Sequence, residues 1–116
     1  MHNYKELSVW EKSVTLATDV YKSSKNFPEE ELYGITSQIR RCAVSISSNI
    51  AEGADRKSKK EFSRFLYIAN GSAYELETQL IISFNLSYLN ENDYENLIIS
   101  ITEIQKMLYS LIKRIA

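Results

Sequence analysis

The chain is poor in the residues that build disulfides, metal sites and tightly turned loops. Its 116 residues include one cysteine, one histidine, one proline and three glycines. A lone cysteine cannot form an intramolecular disulfide, and Cys42 falls in an apolar stripe where a buried, inert thiol is expected. The lone histidine, His2, sits at the terminus, a poor position for a catalytic base or a ligand. One proline and few glycines leave room for long unbroken helices. Charge of one sign is also lacking: the net charge is −1, so the molecule is not a polycation, and any affinity for nucleic acid must rest on a local patch. The opening MHNYKELS has no long apolar run, so neither a signal peptide nor a membrane span is read there. A cytoplasmic protein is expected.

What is present is a helical pattern. Hydrophobic residues make up 44% and charged residues 25%, the balance of an ordinary soluble domain. The length suits a single domain, residues 1–116, with one core. The organising stretch is Ser37 to Gly53, SQIRRCAVSISSNIAEG. Ile35, Ile39, Cys42, Ala43, Ile46 and Ile50 recur at steps of three and four and form one apolar face. Arg40, Val44, Ser47 and Ala51 form a second stripe of small or apolar residues with one cation. Gln38, Arg41, Ser45, Asn49 and Glu52 make a polar edge. A helix that is apolar or small on two sides is expected to pack on two sides. Gly53 reads as a left-handed stop.

Four helices follow from the same reasoning, at about 8–25, 29–52, 59–86 and 92–115. Ser8 with Glu11, and Ser58 with Glu61, fit capping boxes, and Asn90 or Asn92 can cap the last helix. In helix one, Trp10, Val14, Ala17 and Tyr21 read as the inner stripe, widened by Val9, Leu16 and Val20. Gly34 marks a kink between an acidic first turn and the body of helix two. In helix three, Phe62, Phe65, Leu66, Ala69, Ala73, Leu76, Leu80 and Phe84 face the core. Tyr67, Tyr74 and Ile81 lie elsewhere at spacings of seven, a stripe with no task in an isolated bundle and the look of a coiled-coil seam. Gly71, mid-helix at a cost of about 1 kcal/mol against alanine, suggests close approach by a neighbour. In helix four, Tyr94, Leu97, Ile101, Ile104, Leu108, Leu111, Ile112 and Ile115 form the inner stripe. Short turns between four amphipathic helices predict an all-α, antiparallel up-down-up-down four-helix bundle.

No constellation in the sequence carries chemistry. Metal-ligand spacing and a glycine-rich phosphate loop are both missing, and so is a Glu-x-x-His pair. Glu75 and Glu77 point to different sides of their helix, and no serine has a base beside it. The reading is a non-enzyme with no cofactor and no metal. Basic residues cluster once: Arg56, Lys57, Lys59, Lys60 and Arg64 span the second loop and the start of helix three. Arg40 and Arg41 lie on helix two, two to three turns before that loop. One reading is a solvated face with ion pairs to Glu52, Asp55 and Glu61. The other is a phosphate-binding patch that releases counterions from nucleic acid. Only Tyr67 is placed to stack on a base beside it, so sequence-specific readout is not indicated. Asn49 and Glu52 read as part of a polar network holding helix two against helix three.

Several runs carry a family resemblance: Ser48–Gly53 (Ser-Asn-Ile-Ala-Glu-Gly), Gly71–Glu77 (Gly-Ser-x-x-Glu-Leu-Glu), Phe27-Pro28, Tyr33-Gly34 and Arg56-Lys57-Ser58. In that order and spacing, from about Leu7 to Leu89, the chain resembles the 23S ribosomal RNA intervening-sequence proteins, the four-helix-bundle family. Two positions depart from the family pattern. Ser47 stands where a proline is common, and Ser87 where a glycine often precedes the tyrosine of the third loop. The resemblance implies a four-helix bundle assembled into a ring, typically a homopentamer. It also implies kinship to the accessory proteins of diversity-generating retroelements, which partner a reverse transcriptase and nucleic acid. It implies no established enzymatic activity.

Two expectations about partners follow. A homo-oligomer would form through the outer faces of helices two and three, with Val44, Ala51, Tyr67, Gly71, Tyr74 and Ile81 at the interface. RNA or another nucleic acid would bind through Arg40, Arg41, Arg56, Lys57, Lys59, Lys60 and Arg64. The competing reading is an oligomer that contacts only proteins, itself or a separate protein partner, and no nucleic acid. No membrane partner is indicated.

Overall fold

The computed structural model describes residues 3–116, the side chain of Glu6 excepted. His2 lies outside the described residues. Four helices make up the bundle: α1 (Ser8–Ser23), α2 (Ile35–Ala54), α3 (Lys59–Asn85) and α4 (Glu91–Ile115). Short 3-10 turns at Tyr4–Glu6 and Glu29–Glu31 precede α1 and α2, and no strand occurs among the described residues. Gly34 separates the acidic turn from α2, which starts one residue later. The long dimension, 43 Å, is close to that of α3 alone, about 40 Å at 1.5 Å per residue.

The direction of α2 against α3 is read from side-chain pairs. Gln38 meets Gln79 at 3.3 Å and Ser45 meets Ser72 at 2.9 Å. Seven residues forward on α2 is seven residues back on α3, as antiparallel helices require. Phe27 in the first loop packs on Tyr88 in the third, with ring centroids 5.4 Å apart, so these loops share one end of the bundle. Each helix packs against its chain neighbour, and α1 closes on α4. The arrangement is an all-α bundle compatible with up-down-up-down connectivity.

The core is a column of aliphatic side chains at helical spacing. Ile39, Ala43, Ile46 and Ile50 of α2 meet Phe62, Leu66, Ala69, Ala73, Leu76 and Leu80 of α3 and Leu97, Ile101, Ile104 and Leu108 of α4, all buried. Each large side chain removed from water contributes about 1.5–3 kcal/mol. Helix α1 departs from expectation. Its buried positions are Val9, Ser13, Leu16 and Val20, whereas Val14 and Tyr21 are exposed. The face that seemed only to widen the stripe is the inner one. Ser13 is tolerated there because its hydroxyl donates to the Val9 carbonyl at 2.7 Å, so no buried polar group is left unpaired.

The helix ends also differ in instructive ways. Ser8 does not cap α1, because the N-cap is Leu7, which makes no side-chain cap. Ser58 does cap α3, accepting from the Glu61 amide at 3.1 Å, and Asn90 caps α4, accepting from the Asp93 amide at 2.7 Å. Gly53 is not a left-handed stop. It lies inside α2, is buried, and has no positive φ. A β-carbon there would come within 2.6 Å of the Phe65 β-carbon, so its task is to let α3 approach. The left-handed cap is at the end of α3. Ser87 has φ 63°, its amide donates to the Phe84 carbonyl, and the Tyr88 amide donates to the Ser83 carbonyl, both at 2.9 Å. This is the Schellman arrangement with serine where glycine is the strain-free choice.

Candidate nucleic-acid and subunit interfaces

The loop from Asp55 to Ser58 and the first turns of α3 carry the basic segment. Lys57, Lys59, Lys60 and Arg64 are exposed and form no ion pair among the described residues. Arg56 is engaged differently. Its guanidinium pairs with Glu52 one turn back at 3.2 Å and lies over the Phe65 ring, 4.9 Å from the centroid. That geometry ties the loop to both helices it joins. Among the described residues, Glu52 is the one acid that pairs with a cation of the segment; Asp55 and Glu61 do not. The free lysines sit at the positive end of α3, where like polarity disfavours them and favours an anion.

Arg40 and Arg41 are not brought into this cluster. Arg40 lies fourteen residues before Ala54, where α2 ends, about 21 Å and nearly four turns, further than the two to three turns expected. Arg40 turns toward α1. Its Nε donates to the Ser24 hydroxyl at 2.9 Å, and its guanidinium stacks on the Tyr21 ring at 4.8 Å. Arg41 is exposed in a groove between α1 and α2. The sequence hides this groove, because Val14 and Tyr21 fall on the stripe that reads as core. It holds Tyr21, Leu32, Tyr33 and Val44, with Val14 continuing it along α1. Tyr33 is 92% exposed. A fully solvated tyrosine beside an exposed leucine is the one signal that could have marked the groove.

On the opposite helix, Tyr67, Tyr74 and Ile81 are exposed at 63%, 55% and 41%. Ile68 and Ile82 widen this strip, and Gly71 lies within it with nothing inside 4 Å of where a β-carbon would stand. No neighbour within the chain therefore explains the glycine. Ala51 is half-buried on the flank of α2.

The polar edge between α2 and α3 is partly a network. Asn49 donates to the Ser45 carbonyl and hydroxyl at 2.8 and 3.0 Å, and Ser45 bonds Ser72 of α3 at 2.9 Å. Glu52 does not join it and pairs with Arg56 instead. Cys42 is buried and unpaired. Burial pushes its thiol above the usual range, and the Glu75 carboxylate adds to that. Glu77 accepts from Gln105 of α4 at 3.0 Å, on a different side of α3 from Glu75. Among the described residues, no three His, Cys, Asp or Glu side chains are grouped to hold a metal, and no helix is long and apolar enough to cross a membrane.

Comparison with known proteins places this geometry. A crystal structure at 1.70 Å of a protein of unknown function from the S23 ribosomal protein family of Bacteroides thetaiotaomicron superposes with a TM-score of 0.84. It is 32% identical, and the match covers 90% of this chain and 95% of that one. No curated protein matches. The profile of the 23S rRNA-intervening sequence protein family matches residues 5–110. The chain belongs to the 23S rRNA-intervening sequence protein family.

Proposed function

We propose that this chain is a non-enzymatic, cytoplasmic scaffold that assembles into a homo-oligomeric ring, pentameric as the family resemblance implies, and presents its basic segment to nucleic acid, foremost structured RNA. The observation that carries the reading is the α3 strip of Tyr67, Tyr74 and Ile81 around an unexplained glycine. The strip is convex and the α1–α2 groove is concave, so the two differ in shape within one chain. Unlike surfaces that fit each other make a head-to-tail contact, which closes into a ring when the rotation permits. Charge agrees with this pairing. The strip carries Glu75 and no cation between Tyr67 and Leu86, whereas Lys22 and Arg41 flank the groove. Val44 lies on the groove wall, and Ala51 on the same helix flank.

A ring repeats Lys57, Lys59, Lys60 and Arg64 once per subunit. Repetition converts a weak phosphate contact into a multivalent one. Light scattering at micromolar concentration tests the assembly: the expected mass is five times that of the 13.4 kDa chain, and Tyr74→Glu is expected to shift it to monomer. A wild-type monomer rejects the scaffold. Fluorescence anisotropy with a structured RNA tests the second half. Affinity should fall steeply with salt, each phosphate contact adding about 0.7–0.9 to the log–log slope, and reversing Lys57, Lys59 and Lys60 should abolish binding while the ring persists. An intact ring that ignores RNA at low salt favours the oligomer that contacts only proteins.

A further inference from the structure

The last turns of α4 lie at the same end of the bundle as the basic segment. The first and third loops share the opposite end, so α4 starts there and finishes where the Asp55–Ser58 loop joins α2 to α3. After Glu103, α4 carries Lys106, Lys113 and Arg114 and no acid. Glu103 itself is taken by Lys12 of α1 at 2.6 Å. None of these three cations forms an ion pair among the described residues. Lys106, Tyr109 and Lys113 follow at steps of three and four, so they share one helix face, and all are exposed. Tyr109 is 62% exposed, and the Lys113 ammonium stands 5.5 Å from its ring centroid. Beside this ridge runs a groove of about 620 Å³ between the start of α1 and α4, lined on the α4 side by Lys106, Ser110 and Arg114 among others. The bland alternative is a solvated face whose cations complement the negative helix end. That effect fades within the last turn, whereas Lys106 lies about two and a half turns before Ile115. It also gives the Tyr109 ring no task.

We infer that this corner of the bundle seats an unpaired stretch of RNA, with one base stacked on the Tyr109 ring and the flanking phosphates held by Lys106, Lys113 and, from the groove, Arg114. The inference rests on the nucleic-acid reading above and deepens it: the structured RNA is gripped at a loop or bulge rather than along its stem. A duplex keeps its bases stacked on one another and offers an exposed ring nothing but its backbone. An unpaired base presents a π-face, and an aromatic ring beside a cationic groove is the means by which single strands are held. Lys113 does not block the ring. A cation over an exposed ring is held weakly, and moving to the phosphate of the stacked nucleotide gives it a stronger, charge-assisted partner. Tyr67, another exposed ring of α3, lies on the strip that the subunit contact covers in the ring, whereas Tyr109 lies outside that strip.

The test is fluorescence anisotropy on the full chain with two probes, a hairpin RNA with an unpaired loop and its stem alone as a blunt duplex. The wild type should bind the hairpin more tightly. Tyr109→Ala should weaken hairpin binding by at least about fivefold, the low end for losing one stacked base, and leave the duplex and the salt slope unchanged. Tyr109→Phe keeps the ring and should bind like the wild type. Lys106→Gln should instead lower the hairpin's log–log salt slope by about 0.7, one single-strand phosphate contact. Tyr109→Ala losing nothing, losing equally on both probes, or being matched in weakness by Tyr109→Phe would each overturn the platform and leave the nucleic-acid reading standing. Light scattering adds one more outcome: a Tyr109→Ala protein that falls apart into monomers assigns the tyrosine to the subunit contact and overturns the platform. A wild type that binds neither probe at low salt overturns both readings.

Discussion

Two glycines in adjacent helices make opposite demands, and substituting each with alanine tests the packing argument directly. Alanine in a helix interior is favoured over glycine by about 1 kcal/mol. At Gly53 that gain meets a hard obstacle. The new β-carbon would stand 2.6 Å from the Phe65 β-carbon and 3.2 Å from Phe62 Cδ1. The nearer atom is fixed to the α3 backbone, so no rotamer change relieves it, and α3 must move outward by about 1 Å. Overpacking of this kind costs about 1–3 kcal/mol. The net expectation for Gly53→Ala is a loss of up to about 2 kcal/mol, a fall in Tm of up to about 8 °C for a domain of this size.

At Gly71 no obstacle lies within 4 Å. Gly71→Ala should therefore stabilise the isolated chain by up to about 1 kcal/mol, raising Tm by about 4 °C. If a second copy covers the strip, the same methyl group meets it, and the assembled form loses stability in a concentration-dependent way. Thermal unfolding followed by circular dichroism over a hundredfold range of protein concentration separates these terms. Gly53→Ala stabilising the protein as much as Gly71→Ala would refute the close-approach account of Gly53. A Gly71→Ala gain that stays constant across the whole range, with the ring intact, would remove Gly71 from the interface.

Three further outcomes are expected. Ser87→Gly relieves a left-handed serine and should raise stability by about 0.5–1 kcal/mol, the left-handed cost of about 1–2 kcal/mol less the entropy glycine gains when unfolded; urea melts should show a higher midpoint at unchanged slope. Cys42 should resist a thiol reagent in the folded protein, reacting at least about a hundredfold more slowly than in urea, because burial hides the sulfur and holds its pKa up. The hydrogen bond from the Tyr88 hydroxyl to Glu31, 2.9 Å long, holds the tyrosine pKa above its ordinary value of 10.0, with burial adding to it. A raised folded pKa means stability that is present below the unfolded pKa and lost as pH climbs through the folded one. Above about pH 10 wild-type stability should therefore fall more steeply than that of Tyr88→Phe, and parallel pH profiles would show that the contact carries no linkage.

The bundle was legible because its core obeys one period. Ile39 to Ile50, Phe62 to Leu80 and Leu97 to Leu108 are aliphatic at the right spacing, and polar residues rarely interrupt them. Where a polar residue occupies the core, the pattern misleads. Ser13 lies on the inner face of α1 without marking it as apolar, so Val14 and Tyr21 draw the α1 stripe to the wrong face and hide the groove. Glycine was misread for a related reason. Sequence alone does not tell a glycine that permits a positive φ from one that permits a close approach. Gly53 proved to be the second kind, while Ser87 took the first role. Among the basic residues, the closely spaced Lys57, Lys59 and Lys60 were legible as solvated cations. Arg40 was not, since its partners Ser24 and Tyr21 belong to another helix and enter only through the α1–α2 crossing.

The charges of this chain divide by location more than by number. Total charge is near zero, yet Lys57, Lys59, Lys60 and Arg64 lie at one end of the bundle with no ion pair among the described residues, and Lys25 and Arg40 border a cavity at the other. Glu75, by contrast, lies on the apolar strip of the waist. A monomer with this distribution would hold polyanions weakly, because four exposed cations at one helix start release few counterions. Head-to-tail closure changes the balance without adding a residue. It would set Glu75 of each copy against the groove cations of the next, removing that acid from the open surface, and it would repeat the unpaired lysines around one rim. The net charge of each chain is unchanged, but the field seen by a phosphate backbone at the rim becomes positive on every side. Assembly and polyanion affinity are then one prediction: Tyr74→Glu, remote from every lysine, should lower RNA affinity as strongly as reversing Lys57 or Lys60 does. If Tyr74→Glu yields monomers that bind RNA as tightly as the wild type, the rim contributes nothing and the lysines act one chain at a time.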